Sequence, residues 1–324
     1  MIKIHKAGLQ TTVQDLGRRG FQKFGVIVSG AMDLLACRMA NILVNNAENE
    51  AVLEIAITGP TMEFTEEAVI AICGADMSPS IDGHAVRMWR PLFVEKGSVL
   101  SFGPLRSGCR TYVAFSGGVG VPEVMNSKST YLRAQIGGFH GRALQKSDEL
   151  EIGIPSLKVK SSAAANWGVS SSFITDYSTE PEIRLLQGRQ YELFTKASQK
   201  RLVTERFEVS TQSDRMGYRL SGQSLSLEEP AELLSEAIIF GSIQVPPDGN
   251  PIVLMADRQT TGGYPKIGQV ASVDLPLLSQ LKPGDGIRFK KTTLAEAQKA
   301  YLEREQLLQQ IKMAIQLKYG GNGK

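Results

Sequence analysis

Side chains able to do chemistry concentrate in four places, and the densest is Gly241 to Gly268, GSIQVPPDGNPIVLMADRQTTGGYPKIG. Pro246 to Pro251 read as a tight connection, because proline fixes φ while glycine and asparagine tolerate positive φ where a chain reverses. Ile252 to Met255 then read as a buried strand that delivers Asp257, Arg258, Gln259, Thr260 and Thr261 to its end, ahead of Gly262-Gly263, Tyr264-Pro265 and Lys266. Adjacent glycines leave backbone N–H groups unshielded by Cβ, which lets a chain approach an anionic or carbonyl oxygen closely. Gln244, Gln259 and Thr260 can hold an amide-like group by paired hydrogen bonds, and Lys266 can stabilise developing negative charge. The same run also fits a glycine-rich hairpin whose polar residues face water.

The other three places are smaller. Ser29-Gly30-Ala31-Met32-Asp33 joins a hydroxyl to a helix start, where N–H donors and the dipole suit a carboxylate or phosphate. An ordinary N-cap, with Ser29 or Asp33 serving its own helix, fits equally. Ser213 to Arg219 offers Arg215 and Arg219, whose planar guanidinium suits a carboxylate better than lysine does; a solvated, salt-bridged turn is the alternative. Glu236, just before an apolar segment, can accept a proton or hold an amide N–H.

Other chemistries lack their residues. Gly117 to Pro122 is not GxGxxG, and Asn126-Ser-Lys-Ser-Thr130 lacks the glycines of a phosphate loop, so no self-contained nucleotide fold is expected. His5, His84 and His140 share no ligand spacing, and no metal site is expected. His140, flanked by glycines, could transfer protons near neutral pH; we read it as a surface or hydrogen-bonding residue. No G-x-S-x-G elbow is present. Cys37, Cys73 and Cys109 have apolar or small neighbours and no CxxC spacing, which predicts reduced core thiols.

The elements that must position these groups are mostly strands. Short β-branched segments such as Ala68 to Ile72, Val86 to Trp89, Val99 to Phe102, Thr111 to Phe115, Ile183 to Leu186 and Ile238 to Ile243 alternate with turn formers, suggesting barrels or sandwiches. One helix is predicted over Met32 to Leu43, with Leu35, Met39, Ile42 and Leu43 on one face. A second runs from the capping box Thr293-Leu-Ala-Glu296 to about Leu317. The Ser/Ala-rich stretch from Lys158 to Thr179 reads as a connection, and Gly97 to Phe102 and Gly284 to Phe289 share a G-x-x-aliphatic-x-F frame, a faint echo of two related halves. At 324 residues two domains are expected. A net charge of +3 without long basic runs argues against nucleic acid. The start MIKIHKAGL has no apolar leader and no stretch reaches membrane-spanning length, so a cytoplasmic protein is expected.

Six segments, Thr11 to Asp33, Ala40 to Asn46, Leu53 to Pro60, Phe115 to Leu144, Ser213 to Gly222 and the run from Gly241, resemble the carboxyltransferase-like family in the family's order. That family includes the C-type component of bacterial 5-oxoprolinase, the second allophanate-hydrolase-type subunit and part of the carboxyltransferase region of urea carboxylase. Within it the likeness points to the oxoprolinase component of spore-forming bacteria. The resemblance implies a mainly β protein with two cyclophilin-like β-barrel domains, a few helices and a C-terminal helix: halves at 1–157 and 181–290, a linker at 158–180, and a helix and tail at 291–324.

For activity, the resemblance implies a subunit of ATP-dependent 5-oxoprolinase. It would open the lactam of 5-oxo-L-proline to L-glutamate with an A-type, LamB/YcsF-like subunit and a B-type subunit, the homologue of a kinase inhibitor. ATP and Mg²⁺ would act at the level of the complex, and the chain could counter the B-type subunit's inhibition of a sporulation histidine kinase. A biotin-dependent carboxyltransferase for a urea-like amide, or a purely regulatory binding protein, are the alternatives. Biotin would then come on another protein, since Lys312-Met313 follows Ile311 rather than methionine. Under the family match, Lys266 and Arg215 would stabilise negative charge, Asp257 and Glu236 would handle protons or Mg²⁺, and Gln259 with Thr260 would hold the lactam. Ser29, Asp33, Gln244, Gly262, Gly263 and Tyr264 complete the expected substrate-binding set.

Overall fold

The structure, a computed structural model, describes residues 1–155, 167–170, 173–231 and 233–320. It divides into two compact units: Met1–Arg19 with Ser29–Asp176 and Gln306–Lys324, and Gly20–Val28 with Tyr177–Glu305. Much of the expected connection at 158–180 lies outside the described residues.

The first unit holds its strands in two antiparallel sheets. One orders Glu149–Leu150, Ile2–Lys6, Thr61–Phe64, Val99–Phe102, Pro79–Ile81 and His84–Ala85; the other orders Gln10–Gln14, Val52–Ala56, Ser107–Phe115, Ala68–Asp76 and Pro91–Val94. Ala68–Asp76 is buried at every position but the last because both its faces are covered. Ile70 and Ile72 join Ile2, Ile4, Leu53 and Phe64 in one core, while Val69, Ala71 and Cys73 pack in another with Ala36, Met39 and Leu43 of helix α1, Leu34–Leu43. Gly74 makes the close crossing possible: its φ is +92°, and a Cβ there would sit 2.4 Å from the Arg110 carbonyl oxygen. As the spacing predicts, Met39, Ile42 and Leu43 are buried on α1, with Leu35 partly buried against the same core. Val86 to Trp89 is a correction, since it forms no strand: Trp89 has a φ of +59° and turns its ring into the α1 core.

The second unit is a closed barrel of strands in the order Glu182–Gln187, Lys266–Val270, Ser242–Gln244, Ile252–Leu254, Gly217–Ser221, Arg206–Val209 and Gly286–Lys291. Closure comes from the parallel pairing of Glu182–Gln187 with Gly286–Lys291, in which Ile183 faces Phe289. Buried Ile183, Leu185, Phe207, Ile243, Val253 and Ile287 supply its apolar positions. Of the segment Ile238 to Ile243, only Ser242 and Ile243 enter the barrel; a separate two-stranded ribbon pairs Glu236–Ala237 with Thr261–Gly262. The mainly β architecture with a C-terminal helix is as expected, with barrel closure in the second unit and paired sheets in the first.

Two short helices, α2 (Lys196–Thr204) and α3 (Leu275–Ser279), precede the long α4 (Leu294–Gly320). The capping box forms as the sequence predicts: Glu296 N–H donates to Thr293 Oγ1 at 3.2 Å and Thr293 N–H to Glu296 Oε2 at 2.9 Å. Within the first unit, Leu308 and Ile315 of α4 join the α1 core, and Lys312 donates to Glu48 at 2.8 Å. Lys312 thus sits in an ion pair on a helix.

All three cysteines are buried and outside any disulfide, and burial pushes the Cys37 and Cys73 thiols well above the usual range. A disulfide-exchange thiol reagent at pH 8 is therefore expected to label none of them in the native protein and all three after denaturation; rapid native labelling would contradict this packing.

Candidate functional site

Three neighbouring barrel strands end together and carry the main cluster. Lys266 opens its strand and pairs in register with Gln244, the last residue of the adjacent strand. On its other side, the chain leaving Glu182–Gln187 stays attached: Gly188 N–H donates to Ile267 O at 3.0 Å and Gln190 N–H to Lys266 O at 3.1 Å. Gln190 is thereby clamped to Lys266, whose own N–H donates to Gln190 Oε1 at 3.1 Å.

Glu236 meets this cluster from the ribbon. Its Oε1 accepts from Lys266 Nζ at 2.6 Å and from Gln190 Nε2 at 2.9 Å, and its Oε2 accepts from Arg189 Nη1 at 2.6 Å. These bonds, the Lys266 one foremost, hold the Glu236 carboxyl below the usual glutamate range. Glu236 pairs with Gly262, and a Cβ on Gly262 would lie 2.4 Å from Gln244 Nε2. That amide nitrogen is buried, on a residue only 2% exposed, and has no hydrogen-bond partner. An orphaned buried donor is costly unless a ligand or water meets it. Lys266, Arg189, Gln190 and Gln244 therefore present four donors to a region that contains one carboxylate.

The remaining expected residues fall elsewhere. Gly263 and Tyr264 line an open groove of about 760 Å³ with Phe194, Leu225 and Pro247. Gln259 is exposed, and Thr260 is half-buried with its carbonyl accepting from Ile238 N–H at 3.2 Å. Arg215 and Asp257 form a buried two-bond pair, Nε to Oδ2 at 2.9 Å and Nη2 to Oδ1 at 3.0 Å. They lie at the opposite end of the strands from Lys266. Gln244 is level with Ile252, whereas Arg215 and Asp257 continue past the Gly217–Leu254 rung. The structure brings Lys266, Glu236, Gln244 and Gly262 together and does not bring Arg215 or Asp257 to them.

In the first unit, Asp33 caps α1, accepting the Ala36 N–H at 2.9 Å, so its carboxylate serves its own helix. Ser29 is buried at a φ of +55°. Beside them, Glu54 Oε2 accepts the Met32 N–H and the Tyr112 hydroxyl, both at 2.8 Å, and burial pushes the Tyr112 phenol well up. A second buried carboxylate, Asp15, accepts from Ser127 Oγ at 2.8 Å, Lys128 N–H at 2.6 Å and Ser129 Oγ. Arg18, fully buried, donates to the carbonyls of Val124 and Ser129. Both segments carry the family likeness, yet residue type and spacing single out neither Asp15 nor Arg18, and they miss Arg189 and Gln190 altogether. The only signal at Arg189-Gln190 is the glycine before them, whose Cβ would strike Lys266 O at 2.3 Å.

The fold defines the class: the chain belongs to the family of the carboxyltransferase domain, subdomain A and B, whose model matches residues 24–291. It is similar over nearly its whole length to the C-type component of 5-oxoprolinase from Haemophilus influenzae, with 39% identity over 315 residues, 97% of this chain and 99% of that one. The corresponding 5-oxoprolinase component of Escherichia coli is 40% identical over 96% of this chain and 97% of its own. The crystal structure of the Kluyveromyces lactis urea amidolyase superposes with a TM-score of 0.89 at 28% identity, covering 96% of this chain and 20% of that one.

Two outcomes follow from the two ion pairs. Arg215→Ala removes the guanidinium paired with the buried Asp257 carboxylate and should cost about 3–5 kcal/mol of stability, with Arg215→Met/Asp257→Leu recovering much of it, as read by urea denaturation. Glu236 should titrate below the ordinary glutamate range in a side-chain NMR titration, because Lys266, Gln190 and Arg189 favour its ionised form. Because the folded state favours its ionised form, the stabilisation is full above the unfolded value and fades as pH falls through the lower folded one. A Glu236 midpoint at or above the ordinary value would contradict the ion-pair geometry.

Proposed function

We propose that this chain is the C-type component of an ATP-dependent 5-oxoprolinase, working with A-type and B-type subunits to open 5-oxo-L-proline to L-glutamate. The observation that carries the reading is end-to-end similarity to two proteins named as that component of 5-oxoprolinase, spanning 99% and 97% of their lengths. The urea amidolyase of Saccharomyces cerevisiae is matched over only 16% of its length.

A five-membered lactam is a poor electrophile, so opening it requires charge stabilisation at the carbonyl oxygen and a held orientation. Lys266 and the Gln244 amide are the donors suited to that oxygen. Glu236, held between Lys266 and Arg189 with its proton affinity lowered, is a weak base. The proton-handling role is therefore left to groups elsewhere in the assembly. The buried Arg215–Asp257 pair acts here as a clamp on the far end of the barrel. The ATP requirement belongs to the assembly. Among the described residues no three His, Cys, Asp or Glu side chains are grouped to hold a metal ion, so no step through Mg²⁺-ATP is assigned to this chain. Binding of the B-type subunit would also draw it away from a histidine kinase it inhibits. Biotin-dependent carboxyl transfer on a urea-like amide is the second reading, favoured by the superposition on urea amidolyase. Among the described residues no helix is long and apolar enough to cross a membrane.

Purified A-type and B-type subunits should form L-glutamate from 5-oxoproline and ATP only when this chain is added, and Lys266→Ala should lower kcat by about 10²-fold or more. Full turnover without the chain would overturn the assignment.

A further inference from the structure

Lys266, Arg189, Gln190 and Gln244 converge from adjacent barrel strands and the chain following one of them, and all four present donors. The one acceptor that Lys266, Arg189 and Gln190 share, Glu236, is not part of the barrel. It sits on a ribbon held by two residue pairs, Glu236 with Gly262 and Ala237 with Thr261. A two-stranded ribbon of that length has little stability of its own. The chain just before it carries Leu234 at 94% exposure. Arg189 is 78% exposed in its side chain, and an ion pair open to water is worth little, so the contact can be exchanged for a better one at small cost. Meanwhile Gln244 Nε2, buried and unpartnered, gains nothing from Glu236 in the observed arrangement.

We propose that these donors form a carboxylate subsite in which Glu236 is an internal occupant, and that the carboxylate of an incoming small monocarboxylate displaces it. The inference rests on the oxoprolinase reading for the ligand's identity: 5-oxoproline carries one carboxylate next to its lactam ring nitrogen, with the amide carbonyl across the ring. Its carboxylate would take Glu236's place on Arg189 and Lys266, and its lactam oxygen would reach the orphaned Gln244 amide, with the three N–H donors of the Lys266 ammonium shared between the two groups. The exchange conserves charge, since one carboxylate leaves two cations as another arrives. Release of Glu236 frees the ribbon, so occupation of the subsite and movement of the 233–237 segment are coupled.

The test is calorimetric titration of the full chain with 5-oxo-L-proline, with acetate and with the neutral carboxamide of 5-oxoproline. Glu236→Gln keeps the shape and the Gln190 contact while removing the competing charge. It should tighten binding of 5-oxo-L-proline and acetate about two- to fivefold, the equivalent of an exposed ion pair, and leave the carboxamide unchanged. Arg189→Ala, at an exposed position that folding does not depend on, should weaken both carboxylates and spare the carboxamide. Unchanged or weaker carboxylate binding in a folded Glu236→Gln chain overturns the latch, even if glutamate formation in the assembled complex requires this chain. Acetate binding that tightens in Glu236→Gln while the complex shows no turnover of 5-oxoproline upholds the latch and removes the oxoprolinase reading instead.

Discussion

The parallel rung between Glu182–Gln187 and Gly286–Lys291 is the constraint on which the second unit depends. Every other neighbouring pair in the barrel is antiparallel, and without this one the sheet would be open with two unpaired edges. Closure fixes the rotation and stagger of each strand relative to the next. A slip of one residue would turn every side chain of a strand to the opposite face. The side-by-side placement of Gln244 and Lys266, and of the backbone of Gln190 against Lys266, is therefore a property of the whole ring rather than of the short segments that carry them.

The same ring separates two ion pairs that look alike on paper. Arg215 and Asp257 are 8% and 7% exposed in their side chains and bond through both guanidinium nitrogens facing the carboxylate, so each neutralises the other where water is absent. Lys266 and Glu236 are 11% and 26% exposed, and two further donors share the carboxylate. The first arrangement is complete and resists change. The second has more donors than acceptors, and a surplus of that kind is what an anionic ligand needs.

Much of the architecture was legible because it is local. The α1 face follows from the spacing of Met39, Ile42 and Leu43, and the start of α4 from Thr293 and Glu296, whose side chains bond backbone within one turn. The run from Gly241 to Gly268 stood out because glycines and prolines crowd around polar groups, and it does supply Gln244, Gly262 and Lys266. What could not be read was which members of the run meet. Glu236 reaches Lys266 only through a ribbon register, and Arg189-Gln190 through a strand pairing about eighty residues apart in sequence, neither of which leaves a local pattern. Asp33 illustrates the reverse: a carboxylate at a helix start admits two readings, and the bond to Ala36 N–H decides for the cap. Val86 to Trp89 failed as a strand because burying Trp89 against α1 outweighed the β preference of its residues.

The contact between Gly262 and the Gln244 amide has a meaning for how such chains can vary. With only 2.4 Å from a would-be Cβ to that nitrogen, a side chain at 262 would displace the end of the Gln244 side chain, and the orphaned donor would move with it. Glycine at 262 thus marks retention of a functional group located at another position, and in a set of related sequences the pair should be inherited as one character.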